Sequence, residues 1–215
     1  MIDIDLLLAY GASYKKLAAD EIIFREGSSC NFYFQLVEGT VRWVNINEDG
    51  KEFIQNIIEE GECFGEMPLF DEGGYAATAM TDSECVILRL HKHTFHQLIR
   101  EHPEVHIRFS QLLAERLRFK FFILKELAYH DPEQRITALI EYLKKTKKSI
   151  CPQCSQLKLT RQQIADMTGL RVETVIRAMR SMHEKGSLFI NRGKVYCNGE
   201  VCANMTGVIT GRCSA

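Results

Sequence analysis

The 215-residue chain has no apolar stretch that approaches the roughly 18 residues a membrane-spanning helix needs. Its first residues are acidic before they are apolar, so the basic lead of a secretory signal is missing. Internal repeats, nucleophile–base pairs, paired carboxylates and Walker-type phosphate loops are also missing. We therefore expect a cytoplasmic protein with no membrane association and no enzymatic activity. Its length allows one large or two ordinary domains.

The formal net charge of -1 conceals a strong asymmetry along the chain. Residues 1–90 hold 6 Lys and Arg against 17 Asp and Glu, a balance of -11. Residues 131–196 hold 13 against 6, a balance of +7. Because a basic surface attracts polyanions, the second half is predicted to meet one.

Short apolar runs dominate residues 21–90, separated by turn residues about every ten positions. FYFQLV and VRWVNI, with Glu-Gly and Asp-Gly turns around them, are typical of successive hairpins, and the spacing favours a sandwich or barrel. A short helix then ends at Pro103. Residues 104–130 contain no Pro or Gly and predict a helix about 40 Å long.

This long helix carries two apolar stripes, whereas a helix that covers a single core needs only one. Phe109, Leu112, Phe119, Ile123 and Leu127 form one stripe, which we expect to cover the helix's own barrel. The other predicts a dimer seam with a partner helix and contains Leu113, Leu117, Phe121 and Leu124, followed by Ala128. A helix fully buried inside a monomer is the alternative.

Residues 160–180 meet the requirements of a helix-turn-helix. An earlier helix is predicted to start at Asp131-Pro132, with Asp131 as its N-cap. At the start of the motif itself, Thr160 and Gln163 form a capping box. Gly169 ends the first helix where a left-handed residue costs least. The short hairpin LFI-NRG-KVY after the second helix would be a wing.

The second helix of this motif presents side chains suited to base and phosphate contacts. Arg reads guanine and Glu accepts from cytosine in the major groove, while further Arg and Lys contact phosphates. The predicted DNA-binding residues are Arg161, Arg171, Glu173, Thr174, Ile176, Arg177 and Arg180, with Arg192 and Lys194 near phosphates. A basic solvated face on an ordinary helical hairpin is the alternative.

The string GECFGEMPLFDEGGYAATAM resembles the phosphate-binding cassette of cyclic-nucleotide-binding barrels, and residues 21–196 resemble the CRP/FNR family of bacterial transcription regulators. This resemblance implies an α+β fold: an N-terminal double-stranded β-helix or jelly-roll barrel, a long dimerisation helix and a C-terminal winged helix-turn-helix. The implied domains are residues 1–103 for effector sensing, 104–130 for dimerisation and 131–215 for DNA binding. It further implies a homodimer that binds a two-fold site on double-stranded DNA, with activation as the expected outcome, and that recruits or blocks RNA polymerase.

The departures from the cyclic-AMP-binding members concern the effector pocket, which we place at Gly65, Glu66, Tyr75, Ala76, Lys120 and Phe121. Those members carry an Arg-Ser pair where this chain has Tyr75 and Ala76, and a hydroxyl pair where it has Lys120 and Phe121. Glu66 is retained, but a carboxylate without a guanidinium disfavours a phosphate. Tight binding of cyclic AMP is therefore not expected. Haem or another small molecule remains an alternative ligand of this pocket. The histidines at 91, 93, 96, 102 and 106 are nevertheless expected to be exposed and unliganded.

The recognition helix resembles the FNR branch more closely than the cyclic-AMP branch. Glu173 and Arg177 match that branch, whereas Ile176 replaces a Ser and could contact a thymine methyl. We predict a TTGA-like core in each half-site, with half-sites about one helical turn apart.

Five of the eight cysteines lie in the last third of the chain, whereas Cys30, Cys63 and Cys85 stand singly among apolar neighbours and predict core packing. No cysteine precedes Cys30, so the N-terminal iron–sulfur ligands of FNR-type sensors are not carried over. Antiparallel pairing of LKL with KVY would bring one cysteine pair near another, which suggests a tetrahedral zinc site. Its ligands would be Cys151, Cys154, Cys197 and Cys202. A redox dithiol and a chance loop pair remain alternatives.

Three alternative functions remain open. A cyclic-nucleotide-type module could regulate a protein partner, with the helical hairpin used for protein contact. A regulator could also respond to redox state or metal through its C-terminal cysteines. A thiol–disulfide oxidoreductase is a weaker hypothesis, because Cys151 and Cys154 lack the βαβ setting of that motif.

Overall fold

The computed structural model describes residues 1–129 and 131–197 and divides into two compact units, residues 1–121 and a second that begins at Phe122. No helix within these described ranges is long and apolar enough to cross a bilayer.

The first unit is built on two four-stranded antiparallel sheets with a jelly-roll arrangement. One sheet has the order β1-β8-β3-β6 and the other β2-β7-β4-β5. The strands are β1 (Ser13–Leu17), β2 (Ile22–Phe24), β3 (Phe32–Glu38), β4 (Val41–Ile46), β5 (Glu52–Ile58), β6 (Cys63–Phe64), β7 (Thr78–Thr81) and β8 (Cys85–His91). Strands β3, β4, β5, β7 and β8 lie where the apolar runs predict them, but the expected series of successive hairpins was wrong. Among the described strands of this unit only β4 and β5 pair as chain neighbours, because β3 and β4 lie in different sheets.

Turn chemistry and apolar packing explain this sheet order. Between β4 and β5, the side-chain oxygen of Asn47 accepts the N–H of Lys51 at 2.7 Å, and Gly50 supplies a φ of 76°. Between the sheets, side chains such as Leu36 and Ile87 are fully buried. Cys30, Cys63 and Cys85 are buried in the same core, as the sequence predicted.

An N-terminal helix and strand were not expected from the sequence. Helix α1 (Ile4–Ala9) begins at Asp3, whose carboxylate accepts the N–H groups of Asp5 and Leu6. The buried Ile2 and Leu7 join the barrel core, and β1 adds an edge strand against β8. The capping aspartate followed by an apolar run was the available signal for this helix.

Among the described residues, three further helices begin in the first unit. Helix α2 (Pro68–Asp71) is one turn between β6 and β7, α3 (Lys92–Glu101) follows β8, and α4 (Pro103–Tyr129) is the long helix. In the first unit Phe109 and Phe119 of α4 are buried and Leu112 packs against the barrel core, as one apolar stripe predicts. The prediction was wrong for the end of that stripe, because Ile123 and Leu127 belong to the second unit. Pro103 starts α4 rather than merely ending α3.

The second unit contains a winged helix-turn-helix. Its helices after α4 are α5 (Pro132–Thr146), α6 (Arg161–Thr168) and α7 (Val172–Glu184), and its antiparallel sheet has the order β10-β11-β9. The strands are β9 (Gln156–Leu157), β10 (Phe189–Asn191) and β11 (Lys194–Tyr196). Asp131 caps α5 by accepting the N–H of Gln134, as predicted. Strand β9 begins at Gln156, one residue before the LKL segment that was predicted as a strand.

Candidate effector cavity and nucleic-acid interface

The first candidate site is a cavity of about 170 Å³ in the barrel, beside the cassette turn and α4. Most of its wall is apolar, and the polar side chains come from β5 and α4. The lining residues are Phe24, Trp43, Gln55, Gly65, Met67, Pro68, Tyr75, Ala76, Ala77 and Lys120. This composition is typical of a small-molecule site, in which a few polar groups orient a mainly apolar ligand.

An aromatic stack forms one wall of the cavity. The rings of Phe24 and Tyr75 lie 3.7 Å apart between centroids with an interplanar angle of 11°. The stack depends on Gly65, where φ is 68° and where an added Cβ would lie 2.7 Å from Phe24 and 2.9 Å from Tyr75. A glycine is therefore required here both for backbone conformation and for space.

A buried ion pair joins the cassette to the long helix. Arg116 of α4 pairs with the fully buried Glu66, donates to the carbonyl oxygen of Cys63 at 2.6 Å, and lies over the Trp43 ring at 4.9 Å. This pairing of Glu66 was not predicted from the sequence, where only the missing arginine of the cassette turn was considered. The guanidinium comes from a helix residue 50 positions further along the chain. Arg116 meets Glu66 because α4 is rotated so that this side chain faces the cassette. A burial cost that would otherwise raise the energy of the carboxylate is offset by this pairing.

Lys120 lies one helical turn beyond Arg116 and lines the cavity. Its ammonium donates to the backbone carbonyl of Gln55 at 2.9 Å and to the side-chain carbonyl of the same residue. Desolvation, and then the charge of Arg116, lower the pKa of Lys120 from 10.5 to about 8. Both hydrogen-bond acceptors are neutral, and the ammonium also lies over the Phe119 ring, 5.7 Å from its centroid.

The predicted pocket residues fall into three groups. Gly65, Tyr75, Ala76 and Lys120 line the cavity. Glu66 is buried next to it and is held by Arg116. Phe121 does not belong to the described lining; its side chain is 64% exposed, because it follows Lys120 by about 100° around the helix.

The histidines that were considered for haem lie elsewhere. His91 caps α3 by accepting the N–H of His93, and His106 stacks on Phe70. None of the five belongs to the lining of the described cavity. The geometry thus supplies no axial ligand from these side chains to a group bound there.

The second candidate site is the helix-turn-helix, whose turn has the predicted construction. The hydroxyl oxygen of Thr160 accepts the N–H of Gln163 at 3.1 Å, and the side chain of Gln163 accepts the N–H of Thr160 at 2.9 Å. Gly169 ends α6 with a φ of 65°. Ile164, Ala165 and Met167 are buried, so α6 and α7 pack closely.

Helix α7 separates an inner apolar face from an outer polar one. Its buried residues are Val175, Ala178, Met179 and Met182. Exposed on the opposite side, within about 100° of arc, are Glu173, Ile176, Arg177 and Arg180. Arg171 is also exposed and precedes the first turn, while Thr174 is half-buried beside it. A helix with this face can enter a major groove without exposing its core.

The wing lies against the first helix of the motif. Arg192 and Gly193 at its tip both have positive φ, of 46° and 80°, which matches a two-residue hairpin turn. Arg161 donates to the carbonyl oxygen of Gly193 at 3.1 Å. This contact gives Arg161 a structural role in positioning the wing, in addition to the phosphate contact predicted for it.

The strand pairing places Cys197 near the Cys151–Cys154 turn. Tyr196 pairs with Gln156, and the N–H of Cys197 donates to Ser155 at 2.9 Å. No group of three metal-ligating side chains occurs within residues 1–129 and 131–197, and Cys202 lies outside them. The four-cysteine zinc site therefore stays a prediction.

Comparison with known proteins identifies the domains that hold the two candidate sites. A family model described as a cyclic nucleotide-binding domain matches residues 14–102, and one described as a Crp-like helix-turn-helix domain matches residues 134–197. The cAMP-activated global transcriptional regulator CRP of Pasteurella multocida is 31% identical over 172 residues, which cover 79% of this chain and 82% of that protein. The chain belongs to the CRP/FNR family. Families of this kind are transcription regulators rather than enzymes.

Other CRP/FNR proteins extend the match to nearly the whole chain. The regulator Vfr of Pseudomonas aeruginosa is 28% identical over 196 residues and covers 89% of this chain and 91% of its own. Two solved structures share the fold: CLP of Xanthomonas campestris, with a TM-score of 0.74, 22% identity and coverage of 90% and 97%, and FixK2 of Bradyrhizobium japonicum, with 0.75, 20% identity and coverage of 93% and 99%. The CRP/FNR assignment and the jelly-roll, long-helix and helix-turn-helix architecture are thereby confirmed.

Proposed function

We propose that this CRP/FNR regulator acts as a homodimer on a two-fold DNA site and is controlled by a small effector, other than cyclic AMP, in the barrel cavity. The observation that carries the DNA-binding role is the outer face of α7. That face combines two arginines with a glutamate and an isoleucine, the side chains that read guanine, cytosine and thymine in a major groove.

Exposed apolar side chains on α4 support the homodimer. Ile107, Leu117 and Phe121 are 61%, 57% and 64% exposed in the first unit, and Leu124 is 62% exposed in the second. Their spacings of three, four, seven and ten residues are those of a helix seam. Since water-exposed apolar side chains of this size gain about 1.5–3 kcal/mol each on full burial, a second copy of the helix is the natural cover. Leu113 is half-buried and would lie at the edge of the seam.

The cavity supports an effector other than cyclic AMP. Its described lining contains no arginine, because the nearby Arg116 is already paired with Glu66. Its volume of about 170 Å³ is also close to that of a cavity known to hold a single benzene ring, which is much smaller than a nucleotide. Calorimetric binding of cyclic AMP at micromolar or better affinity would contradict this part of the proposal.

Binding to duplex DNA at increasing salt tests the main proposal. We expect the logarithm of the binding constant to fall steeply with the logarithm of salt concentration, because phosphate neutralisation releases counterions. On a selected site, Arg177→Ala should cost about 1–3 kcal/mol and relax the base preference. Lys145→Ala, at an exposed position of α5, is the matched control.

A protein-partner module would give the opposite result. Duplex binding would then be weak and would not change in Arg177→Ala. Capture of the protein partner would not fall as steeply with salt concentration as duplex binding does. In-vitro selection from random duplexes should return two TTGA-like half-sites about one helical turn apart, and an unrelated motif would reject that assignment.

A further inference from the structure

The barrel cavity contains a cation whose charge no anion balances. Arg116, one turn away on α4, is neutralised by Glu66. Lys120 instead donates to two carbonyl oxygens of Gln55, and among the described residues no carboxylate forms an ion pair with it. An ammonium has three donors, so Gln55 leaves one of them for another acceptor. A half-buried ammonium that contacts only neutral groups, the Gln55 carbonyls and the Phe119 ring, gains from an anionic ligand.

The rest of the wall favours an aromatic ring. Phe24, Trp43 and Tyr75 contribute three rings, and Met67, Pro68 and Ala77 complete an apolar surface. Stacked and edge-to-face contacts with such rings stabilise an aromatic ligand beyond the burial of its area. The volume of about 170 Å³ admits one six-membered ring with a small substituent, since a dry cavity of about 150 Å³ binds benzene.

We propose that the cavity binds a monocyclic aromatic carboxylate, with its ring against the aromatic side chains of the wall and its carboxylate on the ammonium of Lys120. This assignment rests on the proposed function only in treating the ligand as the effector. Binding itself can be measured without DNA.

Calorimetry on the full chain tests the charge and the ring separately. Benzoate and phenylacetate should each bind at least about tenfold more tightly than benzamide and phenylacetamide, because hydrogen bonds to charged groups are stronger. Acetate, which has the charge without the ring, should bind at least about tenfold more weakly than either acid. Equal affinity for an acid and its amide, equal affinity for acetate, or no binding of either aromatic acid would overturn the proposal.

Substitution of the lysine separates ligand binding from folding. Lys120→Met keeps the length and apolar stem, so it should abolish the preference for the acid and leave the affinity for the amide within about threefold. Lys125→Met, at an exposed position of the same helix, should change neither. The fluorescence of Trp43, the single tryptophan of the chain, checks that the barrel is folded. A Lys120→Met protein that is folded and still prefers the acid would refute the role of Lys120.

Proton uptake gives a second readout. The titratable groups near the ammonium include Arg116 and Tyr75. Desolvation lowers the pKa of Arg116, but the charge of Glu66 more than restores it, and burial raises the pKa of Tyr75 well above its usual value, so neither should titrate near pH 8. Because the free ammonium has a pKa of about 8, the acid should bind with uptake of protons at pH 8.5 and with little uptake at pH 6.5. Uptake that persists in Lys120→Met would contradict this origin.

The outcomes for DNA distinguish this proposal from the proposed function. If an aromatic acid binds but leaves DNA affinity unchanged, the ligand assignment stands and effector control fails. If the protein binds its DNA site but no aromatic acid, the ligand assignment fails and the regulator remains.

Discussion

Gly65 offers the sharpest test of how the cavity wall is built, because a single methyl group meets two independent obstacles there. The backbone φ of 68° costs a residue with a Cβ about 1–2 kcal/mol. The new Cβ would also lie 2.7 Å from the Phe24 ring and 2.9 Å from the Tyr75 ring. Neither ring can simply move away, since they are stacked on each other and Phe24 also packs on Phe34 and Phe64.

Overpacking of this kind costs about 1–3 kcal/mol, so Gly65→Ala should destabilise the barrel by about 2–5 kcal/mol. Gly50→Ala is the matched control: its φ is 76°, but nothing lies within 4 Å of the added Cβ, so only the backbone cost of about 1–2 kcal/mol applies. Urea unfolding followed by Trp43 fluorescence reports on this unit alone. Equal destabilisation by the two substitutions would show that the stack does not constrain Gly65.

Four other expectations follow from the two sites. Leu124→Glu should weaken dimerisation at least about 100-fold in sedimentation velocity, because a charge would be buried twice in the seam, whereas Lys125→Glu should not. Glu173→Ala should reduce the preference for cytosine at one position of each half-site by about 1–3 kcal/mol in a selection experiment. Between pH 8 and 10.5 the unfolded chain holds a proton that folded Lys120 has released, so this group by itself makes barrel stability rise with pH. Burial raises the pKa values of Tyr33, Cys63 and Tyr75, which contribute the opposite slope, so Lys120→Met should make stability fall more steeply with pH in urea unfolding. If the C-terminal cysteines bind zinc, native mass spectrometry should show one ion that a chelator removes with loss of stability, and Cys154→Ser should prevent its binding; a metal-free chain of unchanged stability would end the zinc hypothesis.

The helices and the wing of the second unit were predictable because short-range sequence signals determine them. The capping box at Thr160, the left-handed Gly169 and the cap at Asp131 each act within four residues, so their pattern in the sequence is also their geometry in the fold. The wing hairpin followed from the same kind of signal, since the Asn-Arg-Gly sequence at its tip tolerates positive φ. The resemblance to CRP/FNR regulators then predicted how these local elements combine into a winged helix-turn-helix.

The cavity was only partly predictable, because its decisive contacts join distant residues. Lys120 was recognised by its position in the long helix, but its hydrogen bonds to Gln55 depend on how that helix is rotated against β5. Arg116 was overlooked for the same reason. No periodicity distinguishes an arginine that turns toward a buried Glu66 from one that remains in water. Charge pairing across 50 residues is a tertiary property, whereas composition shows only that both charges exist.

In the proposed mechanism, a rotation of α4 would couple ligand binding in the cavity to DNA binding. Lys120 lies at the cavity, and the next residue, Phe121, lies on the exposed apolar stripe about 100° further around the helix. A rotation that moves one therefore moves the other. A ligand that binds Lys120 more tightly in one rotational state shifts the population toward that state by its difference in affinity, and no more. The spacing of two recognition helices in a dimer would then depend on whether the charge of Lys120 is balanced.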